Sequence, residues 1–212
     1  SELKTLLQML LLLVSSLFLA VSSQMIPQCP CSIVEPCYNN GATYITQCAD
    51  KCQKHFTSLG LSYPAARQCI LAKVPAVTST VECARRSFGE VCAARPGPLV
   101  PKRYPETMKL AAFRELNGMI SRSGLSGEVG TLSKVFKKAV GCITKCMNQR
   151  GCAGSKTCGL ALPSDNQVIT TFKGCAQQQG LLSTPAVRDL CSCIANAGMR
   201  QLVNICPRIT IS

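Results

Sequence analysis

An all-α fold of small, disulfide-stapled helical units is what this sequence predicts, on three observations. Sixteen cysteines fall into two blocks of eight, separated by a cysteine-free stretch of 49 residues. Within each block apolar residues recur at three- and four-residue steps, the period of a helix with one buried face. Runs that alternate in the manner of strands are short and few.

The first block holds Cys29, Cys31, Cys37, Cys48, Cys52, Cys69, Cys83 and Cys92, and the second Cys142, Cys146, Cys152, Cys158, Cys175, Cys191, Cys193 and Cys206. Each count is even, so each block is expected to close on itself, with the connectivity inside it left open. Two units follow, over residues 24–95 and 106–212, joined by a proline-rich linker at 96–105. All sixteen thiols are expected to be oxidised, because cystines persist where the surroundings are oxidising.

Compartment is addressed independently by residues 1–23. An apolar run over 6–20 follows Lys4 and ends at the small-residue sites Ala20-Val21-Ser22 and Val21-Ser22-Ser23. That run is short for a membrane span and has the form of a secretory signal peptide, with an initiator expected upstream of Ser1. A secreted, extracellular protein is therefore expected, with an uncleaved N-terminal anchor as the rival reading. Without the leader the chain keeps 22 basic and 9 acidic side chains. Tryptophan is absent and aromatics make up 5% of the chain, so cores are small and disulfides must add the stability that burial does not.

The elements can be justified in order. Tyr44, Ile45, Cys48, Cys52, Phe56 and Leu59 share one helical face, with Asp50, Gln53 and Lys54 turned away and Gly60 placed as a C-cap. Pro64 suits a first helical turn. Ser79 and Glu82 stand at capping-box spacing ahead of Cys83, Phe88, Val91 and Cys92. Residues 95–105 carry four prolines and read as extended, with Lys102-Arg103 as an exposed dibasic pair open to processing proteases. Residues 106–120 are amphipathic, with Leu110, Phe113, Leu116 and Ile120 on one side. Residues 121–130 are rich in glycine and serine and read as a mobile loop.

The clearest helix covers 131–146. Leu132, Val135, Phe136, Ala139, Val140, Cys142, Ile143 and Cys146 form its apolar arc, while Lys134, Lys137, Lys138 and Lys145 form a stripe on the opposite side. Cys142 and Cys146 thus face inward and are expected to bridge to two neighbouring positions on another helix. Ser164 opens a helix running to Gly180, and Pro185, directly after Thr184, starts the next. Cys48-xxx-Cys52 and Cys142-xxx-Cys146 suggest a divergent tandem duplication. Repeated stapling of i,i+4 cysteines on helices is the alternative.

Chemistry-bearing constellations are few. His55 is the only histidine, and no paired carboxylates or Ser/His/Asp arrangement stands out, so the expectation is no enzyme, no catalytic residues and no cofactor. CxC, CxxxC and Cx5C spacings occur without the CxxC knuckles of zinc sites, so no metal is expected. Between positions 85 and 156 stand fourteen Lys or Arg against four acids. Such a field attracts polyanions, and the lysine stripe is the candidate contact with anionic glycans or an anionic membrane surface. Nucleic acid is not expected, because few aromatics interleave with the basic residues. Ser126, in Ser126-Gly127-Glu128, has the general form of a glycosaminoglycan attachment site.

Cys48-xxx-Cys52-xxx-Phe56, followed by Cys69, Cys83 and Cys92, resembles the helical cysteine-rich domain of secreted nematode proteins of the chondroitin-proteoglycan-4 type. Cys142-xxx-Cys146 with Cys191, Cys193 and Cys206 looks like a second, divergent copy. The resemblance implies an extracellular, non-enzymatic protein of matrix, egg or secretion, and a carrier of glycosaminoglycan. The chain departs from it in having few acids around its Ser-Gly sites and a strongly basic middle. The expectation is therefore an extracellular binding protein whose basic face contacts anionic glycans. A saposin-like lipid-binding or membrane-active protein is the first alternative, and an effector or inhibitor with a protein target the second.

Overall fold

In the computed structural model, whose described residues are 24–95, 97–150 and 157–211, the chain is helical apart from one two-stranded ribbon. The ribbon pairs β1 (Met25–Pro27) antiparallel with β2 (Leu99–Pro101), Ile26 opposite Val100. Eight α-helices follow in chain order: α1 (Cys31–Lys51), α2 (Gln53–Thr57), α3 (Tyr63–Leu71), α4 (Val74–Phe88), α5 (Pro105–Arg122), α6 (Ser126–Gln149), α7 (Asp165–Gln178) and α8 (Thr184–Asn196). Two 3-10 turns, Arg200–Leu202 and Cys206–Arg208, close the chain. The expected signal peptide at 1–23 and Cys152 lie outside the described residues.

Local chemistry accounts for most boundaries. Ser164 caps α7, accepting from the Gln167 amide while the Gln167 side chain reaches back to the Ser164 amide, so orphan donors are satisfied at both ends of the box. Pro64 and Pro185 occupy first-turn positions of α3 and α8, where a missing N–H costs nothing. Gly60, at φ +82°, ends the turn after α2. Ser79, by contrast, sits inside α4 and caps nothing, since that helix already begins at Val74. Residues 121–130 are helical on both sides of a three-residue turn at 123–125, with Gly124 at φ +65°, rather than a long loop.

The expectation that each half closes on itself fails. Five of the seven described bridges join the halves: Cys29–Cys158, Cys48–Cys146, Cys52–Cys142, Cys69–Cys193 and Cys83–Cys175. Cys31–Cys92 and Cys191–Cys206 stay within one half. Cys37 is also disulfide-bonded, and none of the described cysteines is free. An even count permits internal closure, but a bridge needs Cα atoms within about 7 Å. Inward-facing i,i+4 cysteines meet whichever helix packs on them. For α1 that helix is α6, so the expected bridging of Cys142 and Cys146 to one neighbouring helix does hold, with Cys52 and Cys48 as the partners.

The core crosses the same divide. Cys52, Phe56, Leu61, Tyr63 and Ala66 pack with Ala139, Ala195, Met199, Leu202 and Cys206. The Ser62 amide donates to the Ala197 carbonyl at 2.7 Å. There Gly198, at φ +130°, lets the two backbones approach so closely that a Cβ would lie 2.5 Å from the Gly60 oxygen. A second cluster joins Cys83, Ala84 and Phe88 of α4 to Phe172 and Cys175 of α7.

The proline-rich segment is docked rather than free. Pro101 ends β2, an edge strand in which its missing donor is not required, and Val100 is buried against the body. Arg103 donates from Nη2 to the carbonyls of Leu162 and Pro163 at 2.8 and 2.6 Å, and its Nη1 lies 3.3 Å from Asp165. The dibasic pair is therefore half-buried instead of exposed. Helix α5 also differs from expectation: Leu110, Phe113 and Leu116 face outward, while Met119 is buried and Glu115 meets Lys173 of α7 at 2.6 Å. The side chain of Ile120 lies outside the described residues.

Candidate functional site

Helices α1 and α6 run antiparallel, because Cys48 pairs with Cys146 and Cys52 with Cys142. Three cysteines of these two bridges, Cys52, Cys142 and Cys146, line a groove of about 500 Å³. Lys51 stands beside Cys52 and Lys145 beside Cys146. Lys138 lies one helical turn before Cys142, and Lys54 enters from α2. His55, Gly141 and Gln149 complete the lining, and no carboxylate is among the lining residues. Gly141, between Lys138 and Lys145, leaves the middle of the groove open, since a Cβ there would meet nothing within 4 Å.

Among the described residues no ion pair involves these lysines. Asp50, next to Lys51 in sequence, is turned to α3, where Arg67 Nε and the Tyr63 hydroxyl each donate to it at 2.7 Å. Those two hydrogen bonds, from Arg67 first and Tyr63 second, hold the Asp50 carboxyl below the usual carboxylate range. Burial, and then the hydrogen bond to Asp50, push the Tyr63 phenol well above its ordinary value. Lys51, Lys54, Lys138 and Lys145 are exposed. Like charges gathered in one concave surface make a positive potential that a polyanion relieves.

The predicted stripe is split by this geometry. Lys138 and Lys145 line the groove. Lys137 is exposed but does not line it, because one residue along a helix turns a side chain by about 100°. Lys134 lies in α6 with its side chain outside the described residues. Val140, placed on the apolar arc by the sequence, is exposed. Ser126 is the first residue of α6 rather than part of a loop, and its side chain is outside the described residues.

Sequence reasoning missed Lys51, Lys54 and His55, because it closed the halves separately. A signal was present: both CxxxC motifs, Cys48-Ala-Asp-Lys-Cys52 and Cys142-Ile-Thr-Lys-Cys146, carry a lysine immediately before the second cysteine. Pairing the two motifs with each other brings both lysines to one groove.

Among the described residues no group of three or more His, Cys, Asp or Glu could hold a metal ion, and no helix is long and apolar enough to cross a membrane. The disulfide framework marks a chain of an oxidising, extracellular setting. No family model, curated protein or solved structure matches the chain.

Proposed function

We propose that this is a secreted, non-enzymatic binding protein that holds anionic glycans of a matrix or cell surface in the groove between α1 and α6. The observation that carries the reading is the convergence of Lys51, Lys54, Lys138 and Lys145, from both halves of the chain, on one groove lined by no carboxylate. A sulfated polysaccharide supplies a row of anions at the spacing of successive sugars, and exposed ammonium groups take it as point charges without large desolvation. The resemblance of the cysteine spacing to secreted nematode proteins of the chondroitin-proteoglycan-4 type agrees with the extracellular, non-enzymatic part of this reading.

Heparin is the probe. Changing Lys51, Lys54, Lys138 and Lys145 to Gln removes the charge and keeps the two disulfides. If each contact releases close to one counterion, as on nucleic acid, the log–log salt dependence of affinity should flatten by about 3. The variant should leave a heparin column at clearly lower salt than the wild type, whereas Lys137→Gln alone should elute almost unchanged. Elution of the quadruple variant at the wild-type salt concentration would refute the proposal.

A further inference from the structure

A second concavity, unrelated to the basic groove, lies where β1 and the 158–162 segment meet α5 and α6. Its volume is about 440 Å³, within the range of roughly 300–1,000 Å³ typical of small-ligand sites. Ile26, Met108, Ala112, Leu160 and Leu162 make it predominantly apolar. Arg103 and Lys109 contribute two cationic groups to the lining against one acid, Glu106. Thr144 and Asn148 of α6 are its neutral polar residues on the opposite wall. Sites of this make-up, an apolar body with a few polar groups that fix orientation, suit amphipathic ligands.

Two further observations narrow the ligand. Arg103 Nε is buried without a hydrogen-bond partner, although the guanidinium nitrogens beyond it are engaged by Leu162, Pro163 and Asp165. With that atom closed off and the others engaged, Arg103 gives the cleft positive charge rather than a free donor. The cleft also continues onto an exposed apolar track. Ala112 lines it, and Leu116 stands one turn further along the same side of α5 with Phe113 beside it, both exposed. Contiguous exposed apolar side chains mark a contact surface.

We infer that this cleft binds a single-chain fatty acid. Its carboxylate is held by Lys109, with the Arg103 guanidinium adding positive charge behind it, and its hydrocarbon lies among Ile26, Met108, Leu160 and Leu162, with longer chains extending over Leu116 and Phe113. The head requires cations, which the lining supplies. The tail requires a narrow apolar channel with a continuing apolar track, which α5 supplies.

Isothermal titration of the full oxidised chain with laurate, and separately with dodecanol, tests this. Laurate should bind once per chain. Ala112→Phe on α5 and Thr144→Phe on α6 fill the cleft from opposite walls at exposed positions. Each should weaken laurate about tenfold or more, the equivalent of about 1.4 kcal/mol, with the helical circular dichroism and the heparin elution unchanged. Lys109→Gln should weaken laurate but leave dodecanol within about twofold. Absence of saturable laurate binding, or wild-type affinity in both phenylalanine variants, would overturn the inference. So would binding to phosphatidylglycerol vesicles without binding of laurate, which would make the α5 track a bilayer contact. Unchanged heparin elution alongside lost laurate binding separates this site from the basic groove.

Discussion

Removing the Cys52–Cys142 bridge by paired replacement with alanine should cost less than the length of the loop it closes suggests. The bridge spans 90 residues, and closure of a free loop of that size removes about 4.6 kcal/mol of unfolded-state entropy. Cys48–Cys146 remains in place, however, so the ring actually reopened runs only through positions 48–52 and 142–146. A ring of about ten residues corresponds to about 2.7 kcal/mol. Once both bridges are gone, the next described bridge outward is Cys29–Cys158, and Cys37, which is also disulfide-bonded, lies inside it, so the second loss reopens a ring of at most about 30 residues, worth up to about 3.7 kcal/mol. Guanidinium denaturation of the wild type, both single-bridge variants and the double variant forms a cycle. The second removal should cost more than the first, by up to about 1 kcal/mol, in whichever order the bridges are removed. Cys48 and Cys52 are both fully buried, so the cavities left by the two replacements are similar and largely cancel from the comparison. Additive losses, or a first loss as large as the second, would refute the nested-staple reasoning.

Cleavage after Arg103 should leave the protein at full size on a non-reducing gel, because five of the described bridges join the two sides of the cut. Two fragments released without reductant would contradict the crossed framework. Stability should decline on acidification through the carboxylate range. Asp50 and Glu115 are held low by Arg67 and Lys173 respectively, and a carboxyl with a depressed folded-state pKa stabilises above its unfolded pKa and loses that contribution as pH falls through the folded one. Melting temperatures recorded from pH 7 to pH 3 should therefore drop less in an Arg67→Gln, Lys173→Gln double variant than in the wild type. Equal drops would mean that these exposed pairs contribute nothing measurable.

The helices were legible because their periodicity is local: the helix start at Ser164, the C-cap at Gly60 and the inward pair Cys142/Cys146 all follow from residues within two turns of one another. Partner choice was not legible. Cys48 and Cys52 announce that they face a neighbour, but nothing in their own surroundings says that the neighbour lies 90 residues on rather than 20. The same blindness reversed α5. Leu110, Phe113 and Leu116 form a clear apolar side, yet Met119 and the Glu115–Lys173 contact turn that side outward. The proline-rich segment was read as a linker because proline stops helices, while its other use, at an unpaired strand edge, depends on β1 lying beside it.

Helix α6 makes the two proposed sites depend on separate bridges. On the groove side its Lys138, Gly141 and Lys145 face α1 across Cys48–Cys146 and Cys52–Cys142. About 100° around the same helix, Thr144 and Asn148 line the apolar cleft. The other wall of that cleft is held to the first half by Cys29–Cys158, a bridge that itself lines it. Gly159 packs there so tightly that a Cβ would come within 3.0 Å of Ile26. Charge and apolar surface, which would neutralise each other's usefulness if mixed, are thus kept on adjacent sides of one helix. A folded chain with few aromatics can hold such a division rigidly only if covalent links replace the burial it lacks. That accounts for most of the described bridges running between the halves. A groove between two helices stays a groove only when the staple joins its two walls.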